Sequence, residues 1–184
     1  MFPFGGVGVM LLLIAVAGVL SAALAAALSR RLGWPWSLLF GLLVWSVVVI
    51  GVLTLIPANG APGVVSAEGR LTTCSWDIGG PAPDGFWILP GGQRLLNAVV
   101  FVPSGVLLVL VAARWRSAWL TIPLGLAALA GYSTLIELTQ LVAARIDRAC
   151  DVTDIIDNVT GAALGVLIGL TMLPVVRPWR FRVR

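Results

Sequence analysis

Carboxylates are scarce in this chain, and most of them stand together. Of eight acids in 184 residues, five lie between Ile136 and Asn158: Glu137, Asp147, Asp151, Asp154 and Asp157. Gln140, Arg145, Arg148 and Asn158 stand among them, in a sequence that is 59% hydrophobic and 11% charged. Carboxylates can carry a proton, hold a cation or receive an amine, while an arginine beside them suits phosphate or carboxylate. The remaining catalytic repertoire is narrow. The chain has no His, and all 12 of its basic residues are Arg. That excludes Ser-His and Cys-His nucleophile pairs, lysine Schiff bases and histidine metal sites. No cofactor and no metal is expected.

The spacing of the polar residues assigns them to helix faces. Ser133, Glu137 and Gln140 follow i, i+4, i+7 and share one face. Glu137 stands about 27 Å along that helix from Trp119, near one membrane boundary. An ionisable residue in a span is a functional hypothesis; it fits equally an ion pair with Arg94, Arg145 or Arg148 that holds the bundle. Asp151 has the type and place of an N-cap, with Asp154 in the first turn at the positive end of the dipole. Asp154 and Asn158 are i, i+4 and point to one side. Asn97 opens an upstream apolar run in which Pro103 strips the Val99 carbonyl of its helical donor, with Ser104 following. The candidate binding set is Asn97, Ser133, Glu137, Gln140, Arg148, Asp151, Asp154 and Asn158. No catalytic residue stands out.

The elements that must position these residues are membrane spans. Mean hydropathy is +1.03, and five apolar runs approach the roughly 20 residues needed to cross a bilayer. They cover about Gly5–Leu28, Trp36–Ile56, Leu95–Ala112, Trp119–Val142 and Ile155–Val176. The fold class is therefore all-α: a polytopic bundle of about five transmembrane helices, one domain over 1–184. A Pro- and Gly-rich loop at about 57–93 joins the second and third spans, and its "GFWIL" is suited to the headgroup region. The first run is read as a retained helix, since "MFPFGG" lacks a basic n-region. Arg30, Arg31, Arg114, Arg116, Arg177, Arg180, Arg182 and Arg184 follow helices one, three and five; the other face receives Arg70, Arg94, Arg145 and Arg148. The positive-inside bias then puts the N-terminus outside and the C-terminus in the cytoplasm, with Trp34, Trp36, Trp115, Trp119 and Trp179 at the cytoplasmic interface. The tail "RPWRFRVR" belongs on the inner leaflet. Every acid falls on the outer side. Cys74 and Cys150 fall there too, and an oxidising compartment favours their pairing over two free thiols. Gly161, Gly165 and Gly169 form a small-xxx-small ladder for close helix packing.

Several of these pieces resemble the VanZ-like family of bacterial membrane proteins. They are "NAVVFVPSG" (Asn97 to Gly105), Ser133, Glu137 and Gln140 as SxxxExxQ, "RACDVTDIIDNVTGAALG" (Arg148 to Gly165), and "TLIP" closing at Pro57. Ser104 departs from the apolar residue expected between the Pro and the Gly. The resemblance implies a multi-pass protein of the bacterial plasma membrane. It also implies a link to glycopeptide resistance, teicoplanin-type especially, as in the family's namesake.

Three function classes follow. The first is a non-enzymatic binder at the outer leaflet, taking an envelope lipid, a lipid-linked cell-wall intermediate or a glycopeptide antibiotic. The second is a membrane enzyme on such a lipid, with Glu137 or Asp154 as acid or base. The third is a small ion-coupled transporter, against which the polar groups cluster near one face. The binder is the reading preferred, with membrane lipid as partner and no nucleic acid.

Overall fold

The computed structural model describes residues 5–57, 73–76, 78, 92–142 and 150–180. Five helices carry the chain: α1 (Val7–Leu32), α2 (Trp34–Leu55), α3 (Gly92–Ala112), α4 (Ala118–Val142) and α5 (Val152–Val176). A short 3-10 turn follows at Pro178–Arg180. All five helices are long and apolar enough to span a membrane, and no strand forms among the described residues. α3, α4 and α5 begin one to three residues before the sequence expectation and end with it, α1 starts two residues later and ends four later, and α2 starts two residues earlier and ends one earlier. At α5 the added turn is drawn in by the Asp151 cap, which hydropathy does not register.

The turns between helices follow from local chemistry. Gly33 alone separates α1 from α2, closing one and opening the other at φ 82°, a conformation that favours glycine. Asp151 caps α5: its side chain accepts from the Thr153 amide at 2.8 Å, as its type predicts. α3 runs continuously through Pro103. At the other end of α5, Arg177 takes the left-handed conformation at φ 50° and turns its Nε back to the Pro174 carbonyl, 2.8 Å away.

α3 and α5 make the most extensive pairing, followed by α1 with α2. The first of these is parallel and rests on absent side chains. A Cβ at Gly161 would meet the Ala98 carbonyl, one at Gly165 the Val102 carbonyl, and one at Gly105 the Ala162 carbonyl. The two backbones are therefore in direct contact, as small residues allow inside membranes. Around this seam lie Ile50, Phe101, Leu129, Ile136 and Ala162, all buried. α1 sits at the periphery against α2, with Leu11, Leu12, Val19 and Leu20 each more than half exposed. In water this surface would be untenable; in hydrocarbon it is the expected outer face.

The helix directions create two polar ends. One holds the starts of α1, α3 and α5 and the ends of α2 and α4; the Gly6 amide donates to the Pro57 carbonyl across it at 2.8 Å. The opposite end holds Arg30, Arg31, Arg114, Arg116, Arg177 and Arg180. Trp34, Trp115, Trp119 and Trp179 are exposed there, but Trp36 is not. It turns inward, stacks on Phe40 and donates its indole N–H to the Val111 carbonyl at 3.0 Å. Trp36 is thus a packing residue of the bundle and not the interfacial anchor that its position in sequence suggested.

Candidate functional site

At the end opposite the arginines, four helices and one loop segment converge on a polar network. The disulfide comes first, because it fixes the frame. Cys74 and Cys150 are bonded, with Cα atoms 4.6 Å apart and a sequence separation of 76. Beside the bond, the Ser75 amide donates to the Cys150 carbonyl at 2.9 Å and the Val152 amide to the Ser75 carbonyl at 3.1 Å. A short piece of the long loop is therefore paired as a parallel bridge to Asp151. The start of α5 is held from outside by this bridge and from within by α4.

The grip from within is Glu137. It is 2% exposed, and its Oε2 accepts the Asp151 amide at 3.1 Å. Of the inward contacts open to Glu137, namely Asn97, Arg148 and the start of helix five, the structure shows the last. Asn158 Nδ2 donates to the buried Ser133 hydroxyl at 2.9 Å, so α4 and α5 are joined twice on the predicted face. Gln140 turns to α2, where its Nε2 donates to the Thr54 carbonyl at 3.0 Å. That carbonyl belongs to the last turn of α2 and has no backbone donor among the described residues, so the amide serves as its cap. Deeper in the bundle, Tyr132 donates to the Val47 carbonyl at 3.0 Å. Ser104, where an apolar residue was expected, shares a 2.9 Å hydrogen bond with Ser46.

Glu137→Ala should therefore remove an acceptor from a part-buried amide and cost about 1–3 kcal/mol. Glu137→Gln keeps an oxygen for the Asp151 amide and should recover most of that loss. Thermal unfolding of the two variants in detergent measures the difference; equal melting of both with the parent would remove this role.

Sequence reasoning missed an ion pair. Arg94 meets Asp157 through two bonds, Nε to Oδ2 at 2.9 Å and Nη2 to Oδ1 at 3.0 Å. The signal was available. Asp157, Gly161, Gly165 and Gly169 follow at i, i+4 steps, so Asp157 continues the glycine stripe and must face the start of α3. The same sequence offset relates Arg94 to Asp157, Ala98 to Gly161 and Val102 to Gly165. Arg94 is thus engaged with Asp157, and the proposed pairing of Arg94 with Glu137 is not the one found.

The network sorts into two depths. Ser133, Glu137, Gln140, Asp157 and Asn158 are buried. Asn97, Asp151 and Asp154 are part-exposed, and the Arg94 side chain is 48% exposed. Asn97 is one turn from Arg94 on α3, and its Nδ2, itself buried, has no hydrogen-bond partner among the described residues. Buried polar groups are almost always paired; Ser37 Oγ, toward the opposite end of the bundle, is the other buried atom without a partner among the described residues, so Asn97 is the one such group at this end. Arg148, Arg145, Asp147, the GFWIL segment and the last four residues of the basic tail lie outside the described residues. Among the described residues no cluster of acids, cysteines and histidines has the arrangement of a metal site.

A family model described as VanZ/LLP1 matches residues 9–173. The chain belongs to the VanZ/LLP1 family. No curated protein and no solved structure matches it. The match takes in all five helices apart from their outermost turns, so the glycine seam, the Glu137 contact and the disulfide all fall within the VanZ/LLP1 region. The chain is a VanZ-like multi-pass membrane protein.

Proposed function

We propose that this VanZ-like protein binds the headgroup of an amphiphile at the outer leaflet of the bacterial plasma membrane, with its disulfide end outside. The amphiphile is an envelope lipid, a lipid-linked cell-wall intermediate or a glycopeptide antibiotic. Antibiotic resistance or envelope homeostasis is the physiological outcome. The observation that carries this reading is Asn97: a buried amide N–H without a partner among the described residues, one turn from a half-exposed arginine, on the polar end of a bundle otherwise facing lipid. Arg94, Asn97, Asp151 and Asp154 are the ligand-facing groups; Arg148, assigned to the same set from the sequence, lies outside the described residues. Glu137, Gln140, Ser133 and Asn158 form the frame that holds them.

Support for the orientation is electrostatic. Six described arginines gather at one end, while Glu137, Asp151, Asp154 and Asp157 stand at the other, and cytoplasmic loops collect Arg. An oxidising compartment for the disulfide agrees. A reporter fused after Arg184 should be active only in the cytoplasm. The binding itself is tested by titrating purified protein with each of the three ligand classes. Saturable binding of one class is expected, and no saturable binding of any would end the proposal. An enzymatic role for Glu137 is less well supported, since its carboxylate is buried and engaged with the Asp151 backbone.

A further inference from the structure

An apolar groove lies toward the arginine-rich end, away from the polar network at the other end. Between α1 and α2 a groove of about 190 Å³ is lined by Gly18, Ser21 and Ala22 from one helix and Leu38, Leu42 and Trp45 from the other. Small residues on α1 leave the space, and a Cβ at Gly18 would already press on the Trp45 indole at 3.3 Å. Trp45 forms the inner end, donating its indole N–H to the Ile14 carbonyl at 3.0 Å. Ala22, Leu38 and Leu42 are exposed, so the groove opens sideways into the bilayer. Its volume lies below the roughly 300–1,000 Å³ of pockets that enclose a drug-sized ligand. It suits a strip of hydrocarbon chain.

Two arginines stand beyond the groove at the end of α1, on faces flanking the groove stripe that Ser29 and Leu32 continue. Arg30 and Arg31 end α1 and are exposed. Arg30 stands about 7 Å along the helix from the nearer edge of the groove at Ala25, and about 18 Å from Gly18. On the facing helix Trp34, Leu38 and Leu42 follow at i, i+4 steps, leading from an exposed indole down the groove. The α3–α4 turn reaches the end of α1. Arg114 donates to the Leu32 carbonyl, and its guanidinium lies 5.5 Å from the Trp36 ring and 5.2 Å from the Trp115 ring. Arg116 is exposed beside it. No acid stands at this end among the described residues.

We infer that this end binds one anionic phospholipid of the bilayer, its phosphate on Arg30 and Arg31 and one acyl chain in the α1–α2 groove. Charge brings the headgroup, since basic residues at a membrane surface attract anionic lipid. The chain gains little by leaving other hydrocarbon, because lipid tails are as apolar as the groove. The groove therefore contributes shape and residence, and the arginines contribute choice of headgroup. Arg114, already committed to Leu32 and two indoles, positions the turn.

The test uses full-length protein reconstituted in phosphatidylcholine doped with phosphatidylglycerol, re-extracted in mild detergent, with retained lipid measured by native mass spectrometry. Phosphatidylglycerol should be retained well above its share of the bilayer. The Arg30→Gln, Arg31→Gln double variant should bind it about tenfold less tightly. Ala22→Phe, which fills the groove from an exposed position and leaves the charges intact, should lower retention as well. Unaltered thermal unfolding shows that each variant is folded; should the double Gln variant not fold, Arg31→Gln alone takes its place. Retention of phosphatidylcholine equal to its share, or loss in the Gln variants without loss in Ala22→Phe, would overturn the site.

Discussion

Gly165→Val should separate α3 from α5 and leave little folded protein. A Cβ at residue 165 would fall on the Val102 carbonyl, which is backbone and cannot rotate away. The helices would have to part along the whole seam, because Gly161 and Gly105 sit against carbonyls of the same pair. Overpacking a core costs about 1–3 kcal/mol when side chains can yield, and occasionally more; here no side chain is available to yield, so a loss at or above the top of that range is expected. The Arg94–Asp157 pair, in the same register, should be weakened with it. Gly131→Ala is the matching control, since nothing lies within 4 Å of its added Cβ. It should be neutral or slightly stabilising, as Ala is favoured over Gly in helices. Thermal unfolding in detergent separates the two outcomes, and a Gly165→Val protein that melts with the parent would contradict the backbone contact.

Replacing Cys74 and Cys150 with Ser should cost about 4 kcal/mol in the chain-entropy account of a loop this long. The loss reaches beyond entropy. Ser75 pairs with Cys150 and Val152 on either side of Asp151, whose amide is the donor to Glu137. Freeing residue 74 should therefore loosen the polar network as well as the loop. Hydrogen exchange at the Asp151 and Val152 amides reads this directly: both should exchange faster in the Ser variant, or in the parent after reduction. Unchanged protection would mean that the helices alone hold the start of α5.

How much of this was legible in the sequence depends on the physical signal each feature leaves. The five spans were, because a bilayer demands a continuous apolar run and Arg marks its ends. Asp151 was, because an N-cap combines residue type with place. The Glu137 contact was legible as a direction, inward, since a carboxylate in hydrocarbon needs a donor. Its particular donor was not, because a backbone amide carries no sequence signature. Trp36 was misplaced for a related reason. Indoles at helix ends look alike in sequence, and only the packing of α2 on α3 turns this one toward the Val111 carbonyl. The Arg94–Asp157 pair was overlooked although its stripe was present, because Asp157 was grouped with the other acids of α5 and not with the glycines on its own face. Ser104 looked like a departure from pattern until Ser46 supplied its partner.

The reading of the polar end as a ligand site turns on Asn97. Its buried Nδ2 has no partner among the described residues; such a donor contributes nothing to folding and costs its desolvation, so a residue kept for stability and one kept for binding respond in opposite ways to removal. Asn97→Leu, close in size and without the amide, is the decisive variant, measured for thermal unfolding and for ligand affinity on the same preparation. A melting temperature equal to or above the parent's, together with affinity weakened by about tenfold, roughly one hydrogen bond's worth, is the predicted result. Undiminished affinity in a well-folded Asn97→Leu protein would contradict it.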